Sequence, residues 1–468
     1  MIQYLLRNVD KYPHRPFIIY NEKTYSNEEF LFQVQHTSRV LKYHDIKKKS
    51  LVGIYLNDPF EFLIHWFACN YLGLISVLLN SKLKNIELNK FIESVNLKDI
   101  ITSRNSTNIE KSNSLNLILI EDSPSLSSCG DSFDIENWNI YETFTIIFTS
   151  GSDGRPKPVE LSIHNFLSSF KNWNNEIQFR ADDKIINFLP LHHIAGLSSI
   201  CRGLLSQTLI IQIQKFQSDE FILSVQKFKP LIVSMVPTVI YKLLQSEKGI
   251  HSLKIFRMIL VGGGPATDHL LETCLRHNIN IFVTYGMTET TSGVSGFWIN
   301  AHPNKLKSVG KPFLNLTLST KVKSLNEYSP IIVIGENVAN GYLNENRFNS
   351  QFISGDLGKY DVDGFLHLKP LREDRIISGG ENINPFEVEN ILNKIPNVLD
   401  CCVVGIKDSE WGETIITFIQ KKKILSKSEI IDFCQARLLE YKIPKKIYFC
   451  NEIPRNELGK INRTQIKK

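Results

Sequence analysis

The sequence predicts an α/β protein with a large N-terminal domain of layered, mostly parallel sheets and a small α+β C-terminal domain. Short apolar runs alternate with helix-like stretches through most of the chain. The length of 468 residues exceeds what one small core usually organises. Near residue 370 the chain becomes charged and then resumes as a second compact pattern. These three observations give the fold class and the number of domains.

The alternation begins with an apolar run at 51–56, helical spacing over 61–74 and another apolar run at 75–79. Comparable strand-like runs follow at 144–148, 185–189, 208–213, 231–236, 258–261 and 281–283. Strand, helix and strand in this rhythm predict parallel sheets with helical crossovers. Residues 102–139 are rich in Ser, Asn and Asp, so we expect irregular surface chain around one short strand at 115–120.

A domain boundary is predicted in the charged stretch 366–375, which precedes the pair Gly379–Gly380. After it come a predicted helix at 385–393, strands at 401–406 and 414–420, and a helix at 428–439. We therefore divide the chain into an N-terminal domain, 1–370, and a C-terminal domain, 371–468.

Charge and cysteine content exclude several classes of protein. The net charge is only +6, and the basic residues are interleaved with acidic ones, which argues against nucleic-acid binding. Eight cysteines without a CxxC pair indicate free thiols in a reducing compartment. With no signal-peptide pattern and no apolar run of membrane-spanning length, we expect a cytoplasmic protein without stable membrane insertion. A homo-oligomer is left open.

The segment 149–157, TSGSDGRPK, follows a strand-like run and combines small hydroxyl residues with glycines. Such a segment lets backbone N–H groups converge on an anion, while Arg155 and Lys157 add positive charge. It differs from the Walker pattern GxxxxGK[ST]. Taken alone, it fits a phosphate loop and a surface turn equally well.

Two further segments follow predicted strands. The glycines of 261–266, VGGGPA, permit close approach of a flat ligand or form a strand-to-helix turn. Residues 285–290, YGMTET, offer an aromatic ring, a hydroxyl and a carboxylate where ligands bind in open α/β sheets. Glu289 could hold Mg²⁺ beside phosphates, whereas Thr288 could simply cap a helix.

Two segments near the C-terminus carry single charged residues in loop-like settings. In 354–358, SGDLG, Asp356 could bind ribose hydroxyls or shape a turn. In 454–463, PRNELGKINR, Lys460 could stabilise developing negative charge or belong to a frayed basic end. For each segment alone, the structural alternative is favoured.

The order and spacing of these segments carry more information than any one of them. TSGSDGRPK, GGGP, YGMTET, SGDLG, GGENINPFEVEN and PRNELGK occur in that order along the chain. In this the sequence resembles the adenylate-forming superfamily of acyl-CoA synthetases, carrier-loading adenylation domains and luciferases. The segments LPLHHIAGL, SMVPT, GGGPA, YGMTET and ISGGENINP are most similar to the o-succinylbenzoate–CoA ligases of menaquinone biosynthesis.

The resemblance implies a two-step reaction with ATP, Mg²⁺ and coenzyme A. A carboxylic acid first attacks the α-phosphate of ATP to give an acyl-adenylate and pyrophosphate, and the thiol of coenzyme A then displaces AMP. The resemblance also implies that the C-terminal domain rotates about a hinge between the two steps. Another aryl- or medium-chain acyl-CoA synthetase, or a non-catalytic nucleotide-binding relative, is the alternative.

Carried onto this sequence, the resemblance implies the following roles. Lys460, Thr288 and Glu289 are catalytic, with Glu289 on Mg²⁺, and Glu373 or Asp374 is the hinge. His193, Gly196 and Tyr285 line the acyl pocket, although His193 could equally be a structural histidine, and His192 is the alternative to it. The nucleotide-binding residues are Thr149, Ser150, Gly151, Ser152, Gly154, Lys157, Gly263, Gly264, Pro265, Tyr285, Gly286, Asp356 and Arg372.

Two residues depart from the pattern of the superfamily. Asp153 stands where the phosphate loop usually has Thr, and a carboxylate beside a triphosphate is electrostatically unfavourable. Leu371 stands where Gly usually precedes the hinge, which changes how freely the backbone bends there. These residues motivate the non-catalytic alternative.

Overall fold

The computed structural model describes residues 1–105, 115–122, 139–150, 156–180, 182–264, 266, 268–321, 327–370, 375–454 and 463–466. Among these residues, the structure contains no helix with the length and hydropathy needed to cross a bilayer.

Helices and strands alternate through the first 300 residues, as the sequence predicts. The α-helices are α1 (Ile2–Lys11), α2 (Asn27–Lys42), α3 (Pro59–Tyr71), α4 (Asn85–Ser94), α5 (Ile163–Ile177), α6 (Ile194–Ser206), α7 (Ser218–Phe228), α8 (Pro237–Leu244), α9 (Glu247–Ile255), α10 (Asp268–Arg276), α11 (Pro385–Leu392), α12 (Lys427–Gln435) and α13 (Arg463–Ile466). Short 3₁₀ helices include Thr288–Thr290 and Glu440–Lys442.

The strands fall into four sheets. They are β1 (Pro16–Tyr20), β2 (Lys23–Ser26), β3 (Leu51–Tyr55), β4 (Ile75–Leu78), β5 (Asp99–Thr102), β6 (Asn116–Leu119), β7 (Thr143–Ser150), β8 (Pro156–Ser162), β9 (Lys184–Asn187), β10 (Leu209–Gln212), β11 (Ile232–Met235), β12 (Met258–Val261), β13 (Ile281–Met287), β14 (Ser292–Trp298), β15 (Lys311–Pro312), β16 (Thr317–Thr320), β17 (Ser329–Ile334), β18 (Gly341–Tyr342), β19 (Gln351–Tyr360), β20 (Leu366–Pro370), β21 (Ile376–Ser378), β22 (Glu381–Ile383), β23 (Val398–Asp408), β24 (Gly412–Lys421) and β25 (Lys446–Cys450).

Two large sheets form the layers of the N-terminal part. Sheet A has the order β15-β14-β13-β12-β11-β9-β10-β1-β2, and sheet B has the order β18-β8-β7-β4-β3-β5-β6. Their central strands are parallel, whereas both ends of sheet A and the β18-β8-β7 end of sheet B pair antiparallel. The other end of sheet B, β5-β6, is parallel. Parallel strands need helical crossovers, so the carboxyl ends of several strands meet along one edge of each sheet, where binding loops collect.

A third sheet differs from the predicted parallel layers. Sheet C, with the order β16-β17-β19-β20, is antiparallel throughout. Residues 354–358 lie inside its strand β19, so the expectation that Asp356 sits in a turn is wrong. Hydrogen bonds from the neighbouring strands β17 and β20 override the turn preference of Gly and Asp.

Local sequence signals explain where the helices of the first layer begin. Ser26 and Glu29 form a capping box at the start of α2. Asp58 caps α3, and Pro59 occupies its first turn, where the missing N–H costs nothing. Almost every residue of α3 is buried, because this helix packs within the main core that also contains α1, α2, α5 and α6. This core holds the two large sheets and their loops in fixed positions.

The described residues from 375 onward, here called the C-terminal unit, have their own sheet and core. Sheet D has the order β22-β21-β24-β23, with β25 parallel to β24. Cys401 and Cys402 are buried in β23 as the sequence predicts, and the seven described cysteines are all free. The predicted helix at 428–439 ends earlier, at Gln435, because residues 436–443 turn toward the N-terminal part.

Candidate active site

The predicted phosphate loop connects two antiparallel strands. β7 continues to Ser150 rather than ending at residue 148, and Thr149 pairs with Lys157 on β8. Residues 151–155, which include Gly151, Ser152, Asp153 and Gly154, lie outside the described residues. The hairpin therefore fixes both ends of the loop, and it places Lys157 on a rigid strand.

Glu289, Tyr342 and Lys157 come together beside this hairpin. Glu289 lies in the 3₁₀ helix Thr288–Thr290 and is 8% exposed. The hydroxyl of Tyr342 donates a hydrogen bond to Glu289 Oε1 at 2.8 Å, and Lys157 Nζ lies 4.7 Å from the centre of the Tyr342 ring. Burial raises the pKa of Glu289, although Tyr342 and the positive charges of Lys157 and Arg375 act in the opposite direction. A divalent cation would offset the cost of this buried carboxylate.

Tyr285 joins the strand before Glu289 to the strand that carries Asp356. β13 extends to Met287, so Tyr285 and Gly286 belong to the strand and do not follow it as predicted. The hydroxyl of Tyr285 contacts Asp356 Oδ2 at 3.1 Å and Ser354 Oγ at 3.3 Å. Burial and the Asp356 carboxylate raise the pKa of Tyr285, so its hydroxyl remains a donor. Tyr285, on sheet A, thereby fixes the orientation of the Asp356 carboxylate on sheet C.

Glycines allow close backbone contacts at two points of the site. Gly263 follows β12 with φ +75°, a conformation that a residue with a side chain rarely adopts. A Cβ on Gly286 would lie 2.1 Å from the carbonyl oxygen of Ser292, so only glycine fits between β13 and β14. Gly264 lies beside Gly380 of the C-terminal unit, with its ideal Cβ position 3.5 Å from the Gly380 Cα. Pro265 lies outside the described residues.

His193 precedes α6 and contacts the C-terminal unit. Its Nε2 lies 3.2 Å from Glu381 Oε1, and its side chain is 38% exposed. Partial desolvation acts to lower the pKa of His193, but the charge and hydrogen bond of Glu381 outweigh this effect and the pKa is raised. Gly196 packs against backbone, since a Cβ there would lie 2.3 Å from the Pro190 carbonyl oxygen. His193 thus faces the junction of the two parts, while Gly196 allows α6 to approach the preceding loop.

Arg202 is a polar residue of this region that the sequence patterns did not identify. It lies on α6, is 5% exposed, and its guanidinium carbon is 5.2 Å from the centre of the Trp173 ring. Nη2 donates to Ser199 Oγ at 3.0 Å and to Ser234 Oγ at 3.3 Å, and Nη1 to Ser292 Oγ at 3.4 Å. Among the described residues, no carboxylate forms an ion pair with it.

A buried cation surrounded by neutral hydroxyls is unusual, because buried charges are normally paired. Burial lowers the pKa of Arg202 to about 10, which still leaves it charged at neutral pH. The signal available in the sequence was an arginine inside the apolar helix that follows His193, in a segment whose other residues are small or aliphatic.

The contacts described above form two groups: Thr149, Lys157 and Glu289 are linked through Tyr342, and Tyr285 is linked to Asp356. Thr288 adjoins Glu289 in the same short helix. The predicted hinge residues Glu373 and Asp374, the nucleotide-binding Arg372 and the catalytic Lys460 lie outside the described residues, as does Leu371. Their roles remain predictions. Among the described residues there is no group of three or more His, Cys, Asp or Glu side chains that could hold a metal ion.

Comparison with known proteins gives matches over nearly the whole chain. The model of the AMP-binding enzyme family matches residues 5–343, and that of the AMP-binding enzyme C-terminal domain matches 387–460. The 2-succinylbenzoate–CoA ligase of Bacillus cytotoxicus is 32% identical over 437 residues, which cover 91% of this chain and 90% of that protein.

Two solved structures of o-succinylbenzoate CoA synthetase from Bacillus subtilis share the fold. A double mutant bound with its product analogue OSB-NCoA has a TM-score of 0.90 at 29% identity, covering 99% of this chain and 98% of that one. The complex with ATP and magnesium ion has a TM-score of 0.74 at 30% identity, covering 99% of both chains. At nearly the same coverage, the whole-chain arrangement is closer to the product-analogue complex than to the complex with ATP and magnesium.

The fold, the order of the motifs and the match of the family model to most of the chain lead to one assignment: the chain belongs to the AMP-binding enzyme family.

Proposed function

We propose that this chain is a 2-succinylbenzoate–CoA ligase. It adenylates the acid with ATP, transfers the acyl group to coenzyme A, and releases AMP and pyrophosphate. The observation that carries the proposal is the similarity, over about nine-tenths of both chains, to a curated ligase of that name. The solved relatives bound to ATP with magnesium and to a CoA-containing product analogue support the same two half-reactions.

In the first half-reaction, the carboxylate oxygen bonds to the α-phosphorus and the bond to pyrophosphate breaks. The β7–β8 hairpin presents the loop that binds the leaving phosphates, with Lys157 on its second strand. Asp356, oriented by the Tyr285 hydroxyl, binds the ribose. We assign Lys460 to the stabilisation of charge between carboxylate and phosphate.

Glu289 is the residue that fits a magnesium ligand. It is a buried carboxylate with a raised pKa, beside the β7–β8 hairpin. A Mg²⁺ ion bound there with the triphosphate would neutralise part of the negative charge that develops on the leaving pyrophosphate. The hydrogen bond from Tyr342 fixes the carboxylate in place.

Arg202 favours a dicarboxylic acid as the substrate over an acid whose remaining part is apolar. 2-Succinylbenzoate carries two carboxylates, and only one of them is adenylated, so the other needs a cationic partner. The buried guanidinium of Arg202 lies between α6, β11 and β14, and its described partners are neutral hydroxyls. We assign Arg202 to that second carboxylate, which would complete its pairing.

In the second half-reaction, the thiol of coenzyme A adds to the acyl carbon and AMP leaves. The C-terminal unit here rests on the glycine segment 261–266, proposed to bind the nucleotide, with Gly380 against Val236 and Gly264. This is the whole-chain arrangement closer to the product-analogue complex. We keep the division at 1–370 and 371–468, with the hinge at Glu373 or Asp374, and place the reaction in the cytoplasm, where ATP and coenzyme A are available.

Acid-dependent exchange of labelled pyrophosphate into ATP tests the proposed substrate. With 2-succinylbenzoate the exchange should be fast, whereas benzoate and octanoate should give little. Equal rates with octanoate would indicate a medium-chain acyl-CoA synthetase, and no exchange with any acid despite ATP binding would indicate a non-catalytic relative.

The Arg202→Met variant tests the assignment of the second carboxylate. Loss of a charge-assisted hydrogen bond should raise the KM for 2-succinylbenzoate by about 10- to 100-fold. The KM for ATP should not change, and Arg202→Lys should retain part of the affinity. An unchanged KM for the acid in Arg202→Met would remove this residue from the acyl site.

A further inference from the structure

The C-terminal unit contacts the rest of the chain through a buried group of charges. Lys442 Nζ lies 3.0 Å from Glu87 Oε1 and 2.9 Å from Glu387 Oε1. Glu87 is on α4 of the N-terminal part, whereas Glu387 and Lys442 belong to the C-terminal unit. Their side chains are 4%, 16% and 12% exposed, respectively. We refer to these three residues as the Lys442 triad.

Apolar contacts between the two parts surround the triad. Leu439, three residues before Lys442, is 5% exposed and packs into a cluster of the N-terminal part that contains Leu83, Leu88 and Phe148. Tyr441 packs against the same cluster and against the core of the C-terminal unit. Water is therefore largely excluded from the triad, and its charges are only weakly screened.

Within the triad, one cation is shared by two carboxylates. Burial raises the pKa of Glu87, since Lys442 offsets only part of the desolvation cost. Burial alone would lower the pKa of Lys442, but the two carboxylates outweigh it and raise that pKa. Glu87 Oε2 is buried without a hydrogen-bond partner among the described residues. The desolvation cost of such a buried group of charges offsets much of their attraction, and Glu87 regains water when the two parts separate.

We propose that the Lys442 triad is the positioning element that holds the C-terminal unit in the arrangement used for thioester formation. The inference rests on the proposed function, because it assigns the triad to the second half-reaction. The structure shows the triad in the arrangement closer to the product-analogue complex than to the complex with ATP and magnesium. Lys442 and Glu87 act on the second step through the placement of the unit and do not touch the reacting atoms.

Separate measurement of the two half-reactions on the full chain tests the proposal. Lys442→Met leaves two buried carboxylates without their cation, so thioester formation from the bound acyl-adenylate should slow on the order of 100-fold. Release of pyrophosphate in the first step should keep its rate. Lys442→Arg should restore most of the second step, and Glu87→Gln should affect it non-additively with Lys442→Met.

Lys227→Met is the matched control, because Lys227 forms an exposed ion pair with Glu22 at 2.6 Å. Exposed pairs contribute little, so both half-reactions should keep their rates in this variant. An equal loss of both half-reactions in Lys442→Met, or an unchanged second step, would overturn the proposal.

Hydrogen exchange in the substrate-free protein gives a readout that does not depend on the proposed reaction. Lys442→Met should increase exchange in α4 and in residues 439–443, whereas Lys227→Met should not. Unchanged exchange in both segments would contradict the positioning role. If the unsubstituted chain failed to adenylate 2-succinylbenzoate, the proposed function would fail while the exchange result would still decide the role of the triad.

Discussion

At the scale of single residues, tyrosine hydroxyls orient the carboxylates of the candidate site. Tyr342 donates to Glu289, and Tyr285 contacts Asp356. Both tyrosines have raised pKa values because they are buried next to a carboxylate, so each hydroxyl keeps its proton over the working pH range. Each carboxylate is thereby fixed before a ligand binds, which reduces the ordering cost of binding.

Glu289→Gln should separate activity from stability. Because burial raises the folded pKa of Glu289 above its unfolded value, the protein loses stability as pH rises from the unfolded to the folded pKa. Glutamine does not ionise, so it removes this loss of stability at neutral pH. Its side-chain oxygen can still accept the hydrogen bond from the Tyr342 hydroxyl. Urea unfolding at pH 7 should therefore show equal or higher stability, while adenylation falls on the order of 100-fold. A clear drop in stability at pH 7, or full adenylation activity, would contradict this role.

Tyr285→Phe should weaken nucleotide binding through Asp356. Loss of one hydrogen bond to a carboxylate corresponds to about a 10-fold increase in the KM for ATP. The KM for the acid serves as an internal comparison and should change less. Tyr360→Phe is the control, since the Tyr360 hydroxyl donates to the backbone carbonyl of Leu318 in the same sheet, away from Asp356. Equal effects of both substitutions would indicate a general weakening of sheet C.

At the scale of elements, apolar runs predicted the parallel strands well. β12 begins and ends where the sequence predicts, and β3, β4, β9, β10 and β11 differ by one or two residues at their ends. Such strands are buried on both faces, so their composition alone identifies them. Asp356 was misplaced because a strand of sheet C depends on pairing with β17 and β20, which local sequence does not show.

Contacts between distant elements could not be predicted either. Arg202 contacts Ser234 and Ser292, and Lys442 contacts Glu87, although these residues are far apart in the sequence. Only the tertiary fold brings them together. The motifs predicted Glu289 and Asp356, but Tyr342 carries no motif signal and is identified only by its contact with Glu289.

Asp153 stands where the phosphate loop of the superfamily usually has Thr, and a substitution in the β7–β8 hairpin tests this difference directly. Thr149 and Lys157 fix the two ends of the loop that contains Asp153. Asp153→Thr removes a negative charge from the proposed phosphate loop, so the KM for ATP should fall by about 3- to 10-fold at low salt and less at high salt. Asp182→Thr, outside the hairpin, is the control. A rise in KM for ATP would mean that Asp153 assists binding.

At the scale of the whole molecule, two parts with separate cores meet at the site. Gly380 contacts Val236, Glu381 pairs with His193, and Lys442 pairs with Glu87. These contacts join the C-terminal unit to Val236 before α8, to His193 before α6 and to Glu87 on α4. A rotation of the unit would therefore exchange the groups that face the reaction.

Lys460→Ala should slow adenylation on the order of 100-fold or more and leave thioester formation from supplied acyl-adenylate largely intact. We assign this lysine to charge stabilisation in the first step only, before the proposed rotation of the unit. Single-turnover assays of each half-reaction measure the split. Equal losses in both steps would contradict the domain-rotation account.

The central claim is the identity of the product. Purified protein incubated with ATP, Mg²⁺, coenzyme A and 2-succinylbenzoate should form the 2-succinylbenzoyl thioester, AMP and pyrophosphate in equal amounts, as measured by mass spectrometry and nucleotide analysis. Omission of coenzyme A should leave acyl-adenylate on the enzyme. A protein that binds ATP but forms neither acyl-adenylate nor thioester from this acid would contradict the account.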